Sequence, residues 1–232
     1  MATMGSSALA FAPETTLEDP LAHLPRSTVV EYKRKRIIYS EERPSTGICL
    51  IISGRVKVCR SGYDGQEAVV DIYRADDLFG ESALIGAPYN TERATALEDT
   101  KLMTWSAAEI EDIITRRPKL AVALLQILAQ RMVEFGQRIQ SFSLDDGAHR
   151  LARSLIRLSE RLGTPTEDGS IQMAALTHEL LSQYVGTSRE IITHHMNHFR
   201  RQGYLRYSRK GIALYRDAFR EWLRKDVSFV KA

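Results

Sequence analysis

Gly186 lies between two short stretches, 177–185 and 187–199, whose apolar residues recur at helical spacing, and no other feature of the chain limits its fold so tightly. Leu180, Leu181, Tyr184 and Val185 form one stripe behind an N-cap at Thr177. Ile191, Ile192, Met196 and Phe199 form a second behind a cap at Thr187 or Ser188. A glycine supplies the positive φ of a tight turn, so the stretch predicts a helix-turn-helix with one shared core. Left off that core are Ser188, Arg189, Glu190, Thr193, His194, Asn197 and Arg200, donors and acceptors close to the second helix's N-terminus. On a recognition helix these positions meet base edges, where Arg forks onto guanine and Glu accepts from the cytosine amino group.

A helical hairpin with a solvated charged face is the bland alternative, and the flanking sequence weighs against it. Arg200 and Arg201 precede a helix stop at Gly203, and two β-prone runs in 204–215 then join at Arg209-Lys210-Gly211. That is a basic hairpin able to lie as a wing against phosphates. Charge is distributed to match. Lys and Arg less Asp and Glu give 17 − 19 = −2 over residues 1–144 and 15 − 10 = +5 over 145–232, so the positive excess falls where DNA would release counter-ions.

Upstream, 27–105 reads as short β-prone runs at 28–32, 36–39, 47–52, 56–59, 68–73, 93–97 and 101–105, with turns at Ser53-Gly54, Asp64-Gly65 and Asp76-Asp77. Such a series predicts a sandwich or jelly-roll barrel. The basic run Lys33-Arg34-Lys35-Arg36 suits a solvated edge better than a nucleic-acid site. A short helix at 107–115 and a long one from Pro118 to about Phe142 follow. In the long helix Leu125, Leu128, Met132, Phe135, Ile139 and Phe142 alternate in steps of three and four, the pattern of a coiled-coil seam. Leu124, Ile127 and Val133 show that part of the helix also packs on its own barrel. A seam favours a homodimer, which a palindromic operator needs. Asp145-Asp146-Gly147 breaks the helix as a hinge. An amphipathic helix at 148–161, a short strand at 171–173 and a last helix at 217–225 complete the chain.

With these elements in place, Val185-Gly-Thr-Ser-Arg-Glu190 and the hairpin after it resemble the DNA-binding domain of the Crp/Fnr superfamily of bacterial transcription regulators. Ile51-Ile-Ser-Gly-Arg-Val-Lys-Val58 and Asp77-Leu-Phe-Gly-Glu-Ser-Ala-Leu-Ile-Gly86 resemble that superfamily's cyclic-nucleotide-binding barrel. The resemblance implies an α+β chain: a tail at 1–20, a jelly-roll barrel at 21–116, a dimerisation helix and hinge at 117–144, a winged helix-turn-helix at 145–218 and a closing helix at 219–232. It implies DNA contact by Thr177, His178, Thr187, Ser188, Arg189, Glu190, Thr193, His194, Arg200, Arg209 and Lys210, with bases read by Arg189, Glu190 and His194. His194 stands where relatives of the cyclic-AMP receptor carry a second Arg, so the half-site differs. Double-stranded DNA, a second copy of the chain and RNA polymerase are the implied partners.

The family's phosphate cassette opens Gly-Glu, matched by Gly80-Glu81, and closes on an Arg whose place falls on Asn90. Arg93 reaches that place only in a longer cassette. The effector pocket expected from the resemblance is Gly80, Glu81, Ser82, Asn90, Thr91, Arg93 and Phe135, with cyclic AMP disfavoured because its charged clamp is missing. The alternative is a cyclic-nucleotide-responsive regulator, or an interaction module that docks protein, using Gly80-Glu81 with Arg93.

Two cysteines, Cys49 and Cys59, are too few for an iron–sulfur cluster or a disulfide-built fold. In a hairpin turned at Ser53-Gly54 they would sit on opposite faces, unable to pair. His194 and His198 are one turn apart beside Glu190 but lack a third metal ligand. No enzyme motif, leader or membrane-length apolar run is present, so a cytoplasmic non-enzyme is expected.

Overall fold

A computed structural model describes residues 17–62, 65–86 and 91–229, the side chains of 226–229 excepted. Most of the expected tail, the turn residue Asp64 and the cassette residue Asn90 lie outside the described residues. Strands β1 (Val29–Tyr32), β2 (Ile37–Tyr39), β3 (Gly47–Ser53), β4 (Val56–Ser61), β5 (Glu67–Tyr73), β6 (Leu78–Phe79), β7 (Glu92–Ala96) and β8 (Thr100–Ser106) build the N-terminal part. They form two antiparallel sheets, β1-β8-β3-β6 and β2-β7-β4-β5. Their inward residues, among them Ile38, Tyr39, Ile51, Val56, Val58, Phe79, Ala94 and Leu102, make one core. Tyr39 and Tyr73 each stack on Phe79 inside it.

The expected hairpin at Ser53-Gly54 is a crossover. β3 pairs with β8 and β6, whereas β4 pairs with β5 and β7. Gly54, at φ +93°, carries the chain from one sheet to the other, against the backbone of Asp99 and Thr100. Cys49 and Cys59 are thus in different sheets, both free and buried. Burial pushes each thiol up to about 11, which keeps it protonated and unreactive.

Ser106 opens helix α1 (Ala107–Arg116) with a reciprocal capping box to Glu109. Helix α2 (Lys119–Leu144) then runs beside the barrel. Arg131, on its inner side, gives Nη1 to Glu81 at 2.6 Å and Nη2 to the Leu78 carbonyl, with its guanidinium 4.9 Å from the Tyr73 ring centre. Asp145 leaves the helix in extended conformation, and Asp146 caps α3 (Gly147–Leu162) by accepting from the His149 amide at 2.9 Å.

In the C-terminal part β9 (Thr164–Pro165), β10 (Ile171–Ala174), β11 (Leu205–Ser208) and β12 (Gly211–Leu214) form a sheet in the order β11-β12-β10-β9. Helices α4 (His178–Val185), α5 (Arg189–Arg201) and α6 (Arg216–Phe229) pack with it. Phe199, fully buried, is the centre of this core, with Phe219 at 4.8 Å and Trp222 at 5.4 Å between ring centroids.

That core continues into the barrel. Opposite Val70 the β4–β5 ladder slips by one residue, a bulge that puts Val69 on the outer face with Cys59. Cys59, Val69 and Ile72 then join the cluster built on Leu151, Leu181, Tyr184 and Phe199. Arg161 of α3 ion-pairs with Asp71, which is 5% exposed, and reaches Asp77 at 3.3 Å. Arg138 of α2 donates to the Val70 carbonyl, to Val69 O at 2.9 Å and to Tyr184 O at 3.4 Å. Among the described residues no helix is long and apolar enough to cross a membrane.

Candidate nucleic-acid interface and the adjoining cleft

Local chemistry sets the helix-turn-helix. Thr177 Oγ1 accepts from the Leu180 amide at 3.0 Å, and Ser188 Oγ from the Ile191 amide at 3.3 Å, which identifies Ser188 as the second cap. Each cap stabilises its helix by about 1 kcal/mol. Gly186 turns the chain at φ +70°, and the ring of Phe142 at the end of α2 sits directly against it.

α5 buries Ile192, Met196 and Phe199, so its opposite side is free. Arg189, Glu190, His194 and Arg200 are exposed there, with Asn197 partly so. Arg189, Glu190, Thr193, His194 and Asn197 line one shallow depression of about 390 Å³, close to the helix N-terminus. Glu190 is held below the usual carboxylate range by its own backbone amide and by Ser188, so it is an acceptor at neutral pH. Ile191, expected in the core, is 43% exposed instead and lies beside Gly147 at the hinge.

Three expected DNA residues, His178, Thr193 and Arg200, are also engaged internally. His178 Nδ1 hydrogen-bonds Thr193 Oγ1 at 2.8 Å, and that hydroxyl donates to Arg189 O, also at 2.8 Å. Burial, then the charge of Arg189, lowers the His178 pKa, so this ring is neutral near pH 7. Tyr207 on β11 donates to Asn197 Oδ1 at 3.0 Å and receives the Arg200 guanidinium at 5.4 Å. The hairpin is thereby fixed to the recognition helix, with Arg209 and Lys210 exposed at its tip. Sequence periodicity marks outward positions but not these cross-links, which join residues far apart in the chain.

The expected effector residues divide. Gly80 (φ +90°), Glu81 and Ser82 are at the mouth of the barrel, and Phe135 faces them from α2 across a cleft of about 710 Å³. Arg93 is elsewhere. Strand alternation puts Glu92, Ala94 and Ala96 inward and turns Arg93 to the outer face, where it pairs with Glu67 at 3.1 Å. Thr91 precedes β7 and is partly buried. Glu92, overlooked in the sequence, takes the inward place and accepts from Ser82 Oγ at 3.0 Å and Arg60 at 3.1 Å. The alternation of β7 was the signal that would have found it. Among the described residues no group of three His, Cys, Asp or Glu is placed to hold a metal.

The fold and the exposed face of α5 define a winged helix-turn-helix protein carrying a cyclic-nucleotide-binding-type barrel. Comparison with known proteins agrees: residues 29–117 match the cyclic nucleotide-binding domain family and residues 149–221 the Crp-like helix-turn-helix domain family. Transcriptional regulator SdrP of Thermus thermophilus is 30% identical over 67% of this chain and 73% of its own length. The CRP-like cAMP-activated global transcriptional regulator of Mycobacterium tuberculosis is 28% identical over 80% of this chain and 83% of its own. Among solved structures, the CRP/FNR-family regulator TTHA1359 of Thermus thermophilus superposes with a TM-score of 0.68 at 25% identity, covering 85% of this chain and 98% of its own. The chain belongs to the Crp/Fnr superfamily of DNA-binding transcription regulators, and is not an enzyme.

Proposed function

We propose that the protein acts in the cytoplasm as a homodimer on pseudo-palindromic operators, without needing cyclic AMP, and that it engages RNA polymerase from there. The observation that carries this reading is the exposed face of α5, where Arg189, Glu190 and His194 stand clear of a core that fixes the helix. Arg189 forks onto a guanine, Glu190 accepts from a cytosine amino group and His194 reads the next step. His178, Ser188, Arg200, Arg209 and Lys210 lie near phosphates, whose charge the two arginines and the lysine neutralise, with Thr177 and Thr187 at the helix starts and Thr193 one turn into α5.

Dimerisation is supported by α2, on which Leu125, Met132 and Ile139, spaced by seven, are 65%, 74% and 66% exposed. An apolar stripe of that kind on a soluble helix calls for a second helix. Independence from cyclic AMP is supported by Arg93, whose ion pair with Glu67 lies on the far side of the sheet from Gly80-Glu81.

Arg189→Ala tests the reading. Selection of random duplexes by the wild type yields a palindrome with or without cyclic AMP, and the variant binds it about 1–3 kcal/mol more weakly with relaxed choice at one position. An equal loss on cognate and random duplexes would remove Arg189 from base reading, and enrichment only with cyclic AMP would remove the independence.

A further inference from the structure

We propose that the cleft where barrel, long helix and helix-turn-helix meet binds an uncharged, apolar small molecule. The inference rests on the reading above in one respect, that cyclic AMP is not the ligand.

The cleft, about 710 Å³, has the size of a small-molecule site. Its charged groups are already matched. Glu92 is held by Ser82 and Arg60, and Glu81 by Arg131. At the other end Arg138 gives its donors to the carbonyls of Val69, Val70 and Tyr184. A phosphate entering here meets two inward carboxylates and must draw an arginine from an existing partner, leaving a half-buried group unpaired. An apolar molecule disturbs none of these contacts. The surface that remains is hydrocarbon, from Val69, Val70, Leu128, Phe135, Phe142 and Tyr184. Covering such surface on both sides is favourable in proportion to the area removed from water.

The position gives the site a consequence. Its walls include Tyr184 and Gly186 of the helix-turn-helix, and Phe142, which also lines it, sits against Gly186. A molecule packed on Phe142 therefore bears on the turn that sets the angle between α4 and α5. Differential contact of that kind is what a ligand needs to bias one arrangement over another.

The test uses the full-length protein and Nile red, a neutral apolar dye whose emission rises and shifts to the blue on burial. Ala68→Trp and Val70→Trp each fill the cleft from β5 and leave every residue of α2 unchanged. Nile red binds the wild type, and both variants, with unchanged melting curves, bind it at least about ten-fold more weakly, a loss of about 1.4 kcal/mol. Cyclic AMP does not displace it. Equal dye binding by wild type and folded variants overturns the site, as does no binding by the wild type. Displacement by cyclic AMP overturns the ligand class. If Ala68→Trp is unfolded, Val70→Trp decides alone, and if both are, Ala68→Leu, a smaller filling of the same place, decides. Operator binding is measured on the same samples without dye, so a failure of the DNA reading is seen separately from a failure of the site.

Discussion

Replacing Gly186 by alanine tests how firmly the long helix presses on the helix-turn-helix. Two costs are separable. At φ +70° an L-residue takes a left-handed conformation worth about 1–2 kcal/mol. The added Cβ would also meet Phe142 Cε1 at 2.4 Å and Cζ at 2.9 Å, so the ring must move. Overpacking of that sort costs about 1–3 kcal/mol, and because Phe142 is 45% exposed the lower half of the range applies. Gly186→Ala should therefore lose about 2–4 kcal/mol in urea unfolding. With Phe142→Ala already present the clash is gone, and the same change should lose only the backbone part, about 1–2 kcal/mol. The double-mutant cycle then returns a coupling of about 1–2 kcal/mol, the double variant losing less than the sum of the two single ones. A cost that is the same in both backgrounds would refute the contact between helix end and turn, and with it the mechanical route from cleft to recognition helix.

Arg161→Met removes the cation facing Asp71 and leaves a buried carboxylate with no ion pair, so unfolding free energy should fall by about 3–5 kcal/mol, while Asp71→Asn with Arg161→Met together should recover part of it; no recovery would mean that the pair is not coupled. Met132→Glu places charge on the exposed apolar stripe, and sedimentation should show a monomer with weakened operator binding; an unchanged dimer would move the interface elsewhere. Burial lowers the pKa of both His178 and His195 below the unfolded value of about 6.5. The unfolded chain thus takes up protons first, so the stability these neutral rings give is complete above about pH 6.5 and is lost as pH falls through the lowered values. Urea midpoints measured from pH 7.5 downward should drop, and drop less in His178→Gln; a midpoint that rose on acidification would contradict the sign.

The helix-turn-helix was legible because its signals are local. Thr177, Gly186 and the two apolar stripes each act within a few residues, and so does the alternation of the barrel strands. What escaped depends on pairing between distant segments. Ser53-Gly54 has the composition of a hairpin turn, yet composition does not say which sheet the next strand joins. Ile191 fits a helical apolar stripe, but the hinge beside Gly147 leaves it exposed. The cassette shows the same limit more sharply. The one-residue difference between Arg93 and Glu92 decides which side chain faces the cleft, and it follows from the register of β7 on β4, in which Val58 opposes Ala94. Arg131, Arg138 and Arg161 read in sequence as ordinary basic positions on amphipathic helices. Their roles arise only when those helices meet the barrel, Arg138 and Arg161 at β5 and Arg131 at Leu78, Glu81 and the Tyr73 ring.

β5 also bears on how the chain avoids self-association. It is an outermost strand of its sheet, and Ala68-Val-Val-Asp-Ile-Tyr73 is among the most β-prone runs in the molecule. An open edge of that composition is a template on which another chain can add a strand. Here the carbonyls of Val69 and Val70 are taken by the guanidinium of Arg138, and α4 lies along the strand. Both covers come from sequence made after the barrel. The long helix and the DNA-binding domain thus close an edge that the barrel's own strands leave open.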